Sequence, residues 1–336
     1  MKKNNVIIIA EIGVNHNNNI IIAKKLISTA KSCGADFVKF QSYKTENLII
    51  ENTPLADYQK KNIKKKTNQF NLLKKMEISK KFHNLIIAYC KRKKIQFLSS
   101  PFDLESLDFL FKKKIFNIKI ASGEITNYPL LKIIGKKAKK IFLSTGMSSM
   151  QEISNALNLL IKNGAAKKNI YILHCHSDYP TKLSDVNLLA MNEIKKKFNI
   201  KIGYSDHTEG FETSVAAVAM DASVIEKHIT LSKKMVGPDH MASMEPKEFK
   251  TYIRLIRNTE ILMGKKIKKP TKIEIINKKI VRKSIVAIKE IKKGEIFNQY
   301  NLGCKRPAKG ISPVLWDRIM GRKSKKNYKI NQYIKI

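Results

Sequence analysis

An eight-stranded parallel α/β barrel, a TIM barrel, is the fold the sequence predicts for most of its length, and three observations carry that prediction. Short, apolar, β-branched runs alternate with helical periodicity eight times before residue 265. The first run leads into AEIGVNHNN, with an acid at its exit, and not into the glycine-rich GxGxxG turn of a doubly wound sheet. Polar side chains follow nearly every run, which is where a barrel keeps its active site.

The strand candidates, in order, are residues 6–10, 37–40, 95–98, 116–120, 141–143, 170–173, 200–204 and 224–226. Most are short and apolar, as strands buried on both faces are. The helical patterns cover residues 20–33, 80–93, 104–112, 130–139, 150–163, 188–198, 211–221 and 246–263. Cys33-Gly34 and Asn163-Gly164 read as helix stops. Residues 42–76 form a long polar stretch of the kind that becomes a lid or substrate loop. The barrel is expected over residues 1–265. Residues 266–279, charged and containing Pro270, read as a linker. Residues 280–336 change texture to short strands and turns, and are expected to form a small β-rich domain.

The 336 residues carry 66 Lys+Arg against 27 Asp+Glu, a net charge of +39. Such a balance raises the question of a nucleic-acid partner. The lysines are spread along the whole chain, mostly on polar helix faces, and no motif interleaves them with aromatics, so no nucleic-acid partner is expected. Lys, Asn and Ile are abundant together, which fits drift toward A/T-rich codons; the cationic surface would still gather an anionic substrate. Four cysteines (Cys33, Cys90, Cys175, Cys304) stand alone, with no CxxC pair, as in a reducing cytoplasm. The run at residues 6–10 is too short for a signal peptide, and no run approaches a membrane span, so a cytoplasmic protein without membrane contact is expected.

The strand exits carry Glu11, Lys39, Gln41, Ser100, Lys119, Ser122, Glu124, Ser144, His207, His228 and Asp239. A lysine inside an apolar strand is costly unless an anion or carboxylate pairs with it, which singles out Lys39 and Lys119. With serine hydroxyls they would cradle phosphate and carboxylate groups. His207 and His228 end the seventh and eighth strands, neighbours on the C-terminal face, so two imidazoles could share one divalent metal and polarise a carbonyl. Glu11 and Glu124 are candidates for proton transfer. These residues alone point to a metal-dependent carbon–carbon bond enzyme acting on a phosphorylated small acid.

The motifs AEIGVNHN (10–17), FVKFQ (37–41), KMEIS (75–79), FLSSPFD (97–103), IKIASGEITN (118–127) and LSTGM (143–147) resemble those of the sialic acid synthase family. So do HCHSDYPT (174–181), GYSDHT (203–208), EKHITL (226–231), GPDHMASMEP (237–246) and KRPAKGISP (305–313). The resemblance spans nearly the whole chain in order. It implies a TIM barrel, a linker and an antifreeze-like (SAF) domain, in a domain-swapped homodimer. It implies a transferase that condenses phosphoenolpyruvate with an N-acylated mannose-type sugar and water, releasing phosphate. N-acetylmannosamine is the expected sugar and N-acetylneuraminate the expected product; a legionaminic or pseudaminic acid synthase using a 6-deoxy diacetamido sugar is the alternative.

The resemblance also implies roles. His207 and His228 would hold a divalent metal, manganese favoured, with Mg²⁺ or Co²⁺ as alternatives. Lys39, Ser100, Lys119, Ser122 and Ser144 would bind phosphoenolpyruvate. Glu11, Gln41, Tyr179 and Asp239 would hold the open-chain sugar, with Glu124 as acid or base near the reacting carbons. Arg306 would reach the partner's active site and contact the N-acetyl group. Where the family often has asparagine after His-Cys, this chain has Ser177, followed by Asp178, so either could supply that phosphoenolpyruvate contact. His174 and His176 share a strand face, which hydrogen-bonded packing explains better than a second metal. Two other readings of the same residues are a Schiff-base aldolase using Lys39 or Lys119 and a polyanion-binding protein whose barrel has lost catalysis.

Overall fold

Eight parallel strands close into a barrel in simple sequence order. They are β1 (Ile7–Gly13), β2 (Phe37–Ser42), β3 (Gln96–Pro101), β4 (Asn117–Ile120), β5 (Lys140–Ser144), β6 (Ile170–Cys175), β7 (Lys201–Asp206) and β8 (Val224–His228). The structure is a computed structural model, and it describes residues 5–55 and 67–335. The chain divides into two units, Met1–Gly264 and Lys265–Ile336.

Period-two alternation along the strands assigns the two faces. Outward residues such as Ile8, Ala10, Val38, Ile118 and Ile202 pack with the helices in the main core. Inward residues Ile9, Phe37, Leu98, Phe142, Tyr171, Leu173 and Val224 form a separate apolar plug inside the barrel. Burying each large side chain contributes about 1.5–3 kcal/mol. One step further along the strands, the inward positions become Glu11, Lys39, Ser100, Lys119, Ser144, Ser205 and Glu226. The plug therefore ends where the polar floor of a cleft begins.

Several elements differ from expectation. β1 runs on to Gly13, β3 to Pro101 and β8 to His228. Glu11, Ser100 and His228 are thus the last turns of strands and not loop residues. The charge at position 11 does not end its strand because it points into a polar layer where a lysine meets it. The helix Tyr128–Lys137 starts ahead of the expected residue 130, since Asn127 caps it and Pro129 suits the first turn. The stretch 42–76 contains the short helices Thr45–Leu48 and Gln69–Met76, tied together by Glu77, which accepts from Lys44, Lys74 and Thr45.

In the second unit, residues 266–279, expected as a linker, carry part of a helix, Lys272–Val281, begun by a Thr271–Glu274 capping box just past Pro270. Strands β9 (Ser284–Ala287) and β10 (Leu302–Lys305) pair antiparallel, and isolated bridges tie Val286 to Tyr333 and Ile291 to Tyr328. Ile285, Ala287, Ile291, Phe297, Leu302 and Tyr328 fill this unit's own small core.

Candidate active site

Strand register brings the charged layer together. Along β1 and β8, Ile9 sits beside Glu226 and Glu11 beside His228; along β1 and β2, Glu11 sits beside Lys39. A bulge between Glu11 and Gly13 turns the chain here, with Gly13 at a φ of +52°. A Cβ on Gly13 would lie 3.1 Å from Glu11 Oε1, so only glycine lets the backbone pass this close to the carboxylate.

A cleft of about 610 Å³ opens over this layer, lined by most of the residues expected from sequence. Glu11, Lys39, Gln41, Ser100, Lys119, Ser122, Glu124, Ser144, Ser177, Tyr179, His207, His228 and Asp239 all face it. Arg306 belongs to the second unit, where it is exposed just after β10. Ser177 lines the cleft, whereas Asp178 turns its carboxylate to the backbone amide of Tyr179. Ser122 Oγ accepts from the Gly146 amide at 3.0 Å, and a Cβ on Gly146 would meet Ser177 Oγ at 2.6 Å. Bare backbone at position 146 is what lets the two serines converge.

Lys39 and Lys119 are buried, and each meets a carboxylate, as the cost of burying an ammonium group demands. Lys39 Nζ lies 3.0 Å from Glu226 Oε1 and 3.4 Å from Glu11 Oε2; Lys119 Nζ lies 2.8 Å from Glu226 Oε1. Burial works against the charge of Lys39, but Glu11 and Glu226 outweigh it and hold the amine above its usual range. Lys39 therefore stays an ammonium group, which disfavours imine chemistry there. Burial lowers Lys119, with Glu226 opposing the shift. For Glu226, burial raises the carboxyl, but Lys119 and Lys39 outweigh it and keep the group ionised. Burial pushes Glu11 up to about 7 and Asp239 up to about 6. Glu124 is also raised by burial, against the Asn127 amide that donates to it at 2.7 Å.

The rings of His207 and His228 stand 5.5 Å apart between centroids, with Tyr179 tilted by 32° against His207 at 4.1 Å. Burial lowers His207 to about 4 and His228 well below its ordinary value, so both are neutral, the form that binds a metal. His228 Nδ1 is buried without a hydrogen-bond partner among the described residues, and Asp239 Oδ2 is 4.0 Å away. With nitrogen–metal bonds of roughly 2.1 Å, rings at this spacing can face one ion. No group of three or more His, Cys, Asp or Glu placed to hold a metal occurs among the described residues. The histidine pair thus fits an open site whose other positions water and substrate oxygens must fill.

Other buried atoms also lack partners. Ser100 Oγ, Ser144 Oγ and Glu226 Oε2 make no hydrogen bond among the described residues. A buried unpaired hydroxyl costs about 1–3 kcal/mol. Ser100 and Ser144 line the same cleft as the amines of Lys39 and Lys119, and hydroxyls and amines together can donate to an anion.

Sequence reasoning passed over residues that the structure makes central. Glu226 was read only as a strand end. Like Lys39, it is a charge within an apolar strand. Asp206, just past the strand expected at residues 200–204, is the last residue of β7. It accepts from the Thr208 amide at 2.9 Å and from Ser214 at 2.6 Å, and lies 3.2 Å from Lys227 on the outer face of β8. Lys227 also donates to the Thr208 carbonyl, so this ion pair clamps the turn that carries His207. Asn15 donates to the Ile229 carbonyl at 2.9 Å and to Ser243 at 2.8 Å, and Ser243 donates to the Asp239 carbonyl at 2.6 Å. The VNHN motif thus braces the loop holding Asp239. His174 bonds the Val186 carbonyl at 2.9 Å, in ordinary packing.

Comparison with known proteins adds to this arrangement. The NeuB family model matches residues 26–268 and the SAF domain model residues 282–335. The N,N'-diacetyllegionaminic acid synthase of Campylobacter jejuni is 51% identical over 335 residues, covering 100% of both chains. That of Legionella pneumophila is 39% identical over 322 residues, 95% of this chain and 90% of the relative. The crystal structure of the N-acetylneuraminic acid (sialic acid) synthetase from Leptospira borgpetersenii superposes with a TM-score of 0.73 at 33% identity. It covers 82% of this chain and 90% of that one.

Proposed function

The chain belongs to the NeuB family and carries a SAF domain at its C-terminal end, and from that premise we propose the sugar it uses. Membership makes it a phosphoenolpyruvate-dependent synthase of the sialic acid type. We take its second substrate to be a 6-deoxy diacetamido sugar, the alternative raised from sequence, in place of N-acetylmannosamine, and its product to be a legionaminic-type acid. One observation carries this choice: 51% identity over the full length of a diacetyllegionaminic acid synthase, against 33% to the sialic acid synthetase. The cleft agrees with it. One side is apolar, built by Val14, Leu48, Ile49, Leu72, Leu73 and Met76. A methyl group suits such a wall, where a hydroxyl would lack a partner.

In this reading Lys39, Lys119, Ser100 and Ser144, with Ser122 and Ser177, take the phosphate and carboxylate of phosphoenolpyruvate. Glu11, Gln41, Tyr179 and Asp239 hold the open-chain sugar. His207 and His228 would hold a divalent ion, manganese by preference for nitrogen donors, which would supply polarisation of the aldehyde carbonyl. The double-bond electrons of phosphoenolpyruvate form the new bond from C3 to the aldehyde carbon. The aldehyde oxygen takes up a proton, and C2 becomes oxocarbenium-like. Water adds to C2 and loses a proton, and the tetrahedral centre expels phosphate as its carbon–oxygen bond breaks. Glu11, raised by burial to about 7, titrates near neutral pH, and its protonated form would give the proton to the aldehyde oxygen. Glu124 is placed as base for the water. The lysines stay paired with the phosphate throughout. A cytoplasmic homodimer, with Arg306 meeting the N-acyl substituent, completes the reading.

The test is phosphate release from phosphoenolpyruvate with each sugar, with and without Mn²⁺. Metal-dependent release is expected with the diacetamido sugar at a kcat/KM more than roughly tenfold above that with N-acetylmannosamine. A preference for N-acetylmannosamine would restore the first choice made from sequence.

A further inference from the structure

We propose that Glu226 is the positioning residue of the anion site. By gathering Lys39, Lys119 and Ser205 on one carboxylate oxygen, it keeps the two ammonium groups side by side for phosphoenolpyruvate. The inference rests on the substrate reading above. Glu226 Oε1 lies 3.0 Å from Lys39 Nζ, 2.8 Å from Lys119 Nζ and 2.9 Å from Ser205 Oγ. All four side chains are buried. The donors come from β2, β4 and β7 and the acceptor from β8. Strands β2 and β4 are not neighbours, since β3 lies between them. The carboxylate therefore links two lysines that strand pairing alone does not join.

The physical need for such a link is strong. Two buried ammonium groups within reach of one oxygen repel each other across a short gap of low dielectric. Without a carboxylate between them, the side chains must swing apart or one must lose its proton. Either outcome dissolves the paired clamp. Glu11 does not replace Glu226, because it reaches Lys39 at 3.4 Å, while the ion pair of Lys119 among the described residues is with Glu226. One carboxylate oxygen takes one N–H from each amine, so each lysine keeps further donors for an anion. Its second oxygen has no hydrogen-bond partner among the described residues, so the carboxylate is held by the groups it organises.

The experiment is calorimetric titration of the full chain and of Glu226→Gln and Glu226→Asp with phosphoenolpyruvate, alongside steady-state KM values for both substrates. Wild type should bind phosphoenolpyruvate, Glu226→Gln should bind it roughly tenfold or more weakly, and Glu226→Asp should fall between. The KM for the sugar should stay within about twofold, since only the anion site is disturbed. Glu226→Gln binding as tightly as wild type, or more tightly, overturns the inference, because the carboxylate would then compete with the substrate. An equal loss in both KM values also overturns it and leaves a general structural role. Should Glu226→Gln not fold, Glu226→Asp decides: affinity equal to wild type overturns the proposal. Wild type that binds no phosphoenolpyruvate overturns the substrate reading itself, and that result is visible without any variant.

Discussion

His207 points its Nδ1 at the carbonyl oxygen of His176, 2.6 Å away. A carbonyl only accepts, so Nδ1 carries the proton and Nε2 keeps its lone pair. One hydrogen bond between the turns that follow β6 and β7 thus selects the tautomer that a metal needs. His207→Ala should weaken Mn²⁺ binding by more than roughly tenfold, read directly by manganese spin resonance, and abolish metal-dependent phosphate release. Wild-type manganese affinity in that variant would refute the histidine pair as the metal site.

Ser100 and Ser144 carry buried hydroxyls that bond to nothing among the described residues. Removing a hydroxyl without a partner removes a desolvation penalty, so Ser100→Ala and Ser144→Ala should unfold no more easily than wild type, and up to about 1–3 kcal/mol less easily. Their KM for phosphoenolpyruvate should nevertheless rise. Melting curves beside kinetics separate the two effects; a loss of stability with unchanged KM would make these hydroxyls structural.

Gly13→Ala should harm both stability and turnover. A non-glycine residue at φ +52° costs about 1–2 kcal/mol, and the added Cβ meets Glu11 Oε1 at 3.1 Å. The displaced carboxylate should lower kcat further than the melting shift explains. A variant with wild-type kcat would remove Glu11 from the proton-transfer role.

Acid should destabilise the chain before the pH reaches the usual carboxylate range. Burial lowers six imidazoles: His16 to about 3, His83, His207 and His240 to about 4, and His174 and His228 by direction. Unfolded, they take protons near pH 6.5 that the folded chain refuses, so stability falls as pH drops from about 6.5 toward 4. Glu11, Asp239 and Glu124 act in the opposite sense, because their raised carboxyls bind protons in the folded chain and lose that contribution as pH rises. Six groups outweigh three. Denaturant titrations at pH 7.5 and 5 should show the loss, and His16→Gln should flatten the slope by up to about 1.4 kcal/mol per pH unit. Stability that is constant over this range would contradict the neutral, buried histidines.

Much of the cleft was legible because its signals are local. The eight alternating units, the polar residue closing each strand, and the lysines at positions 39 and 119 within apolar runs are patterns of a few residues each. Glu226 and Asp206 were harder to find. One sits inside a strand beside Lys227 and close to His228, the other directly before His207. Nothing nearby in sequence names the lysine partner of either. Lys39 and Lys119 meet Glu226 over separations of 187 and 107 residues. In the linker stretch, charge and proline mask a good capping box at Thr271 and Glu274.

The sequence by itself determined the barrel, its strand order, the second unit and the kinds of side chain offered to the cleft. Period-two alternation and short crossovers are properties of neighbouring residues, so they survive in one dimension. Only the tertiary structure decided which charges neutralise which, which hydroxyls stay unpartnered, and which nitrogen of His207 is free. Those depend on barrel closure, which sets β8 against β1 and so stands Glu226 and His228 beside strands from the other end of the domain. Coulomb energy and desolvation act across that closed interior, and no local pattern records them.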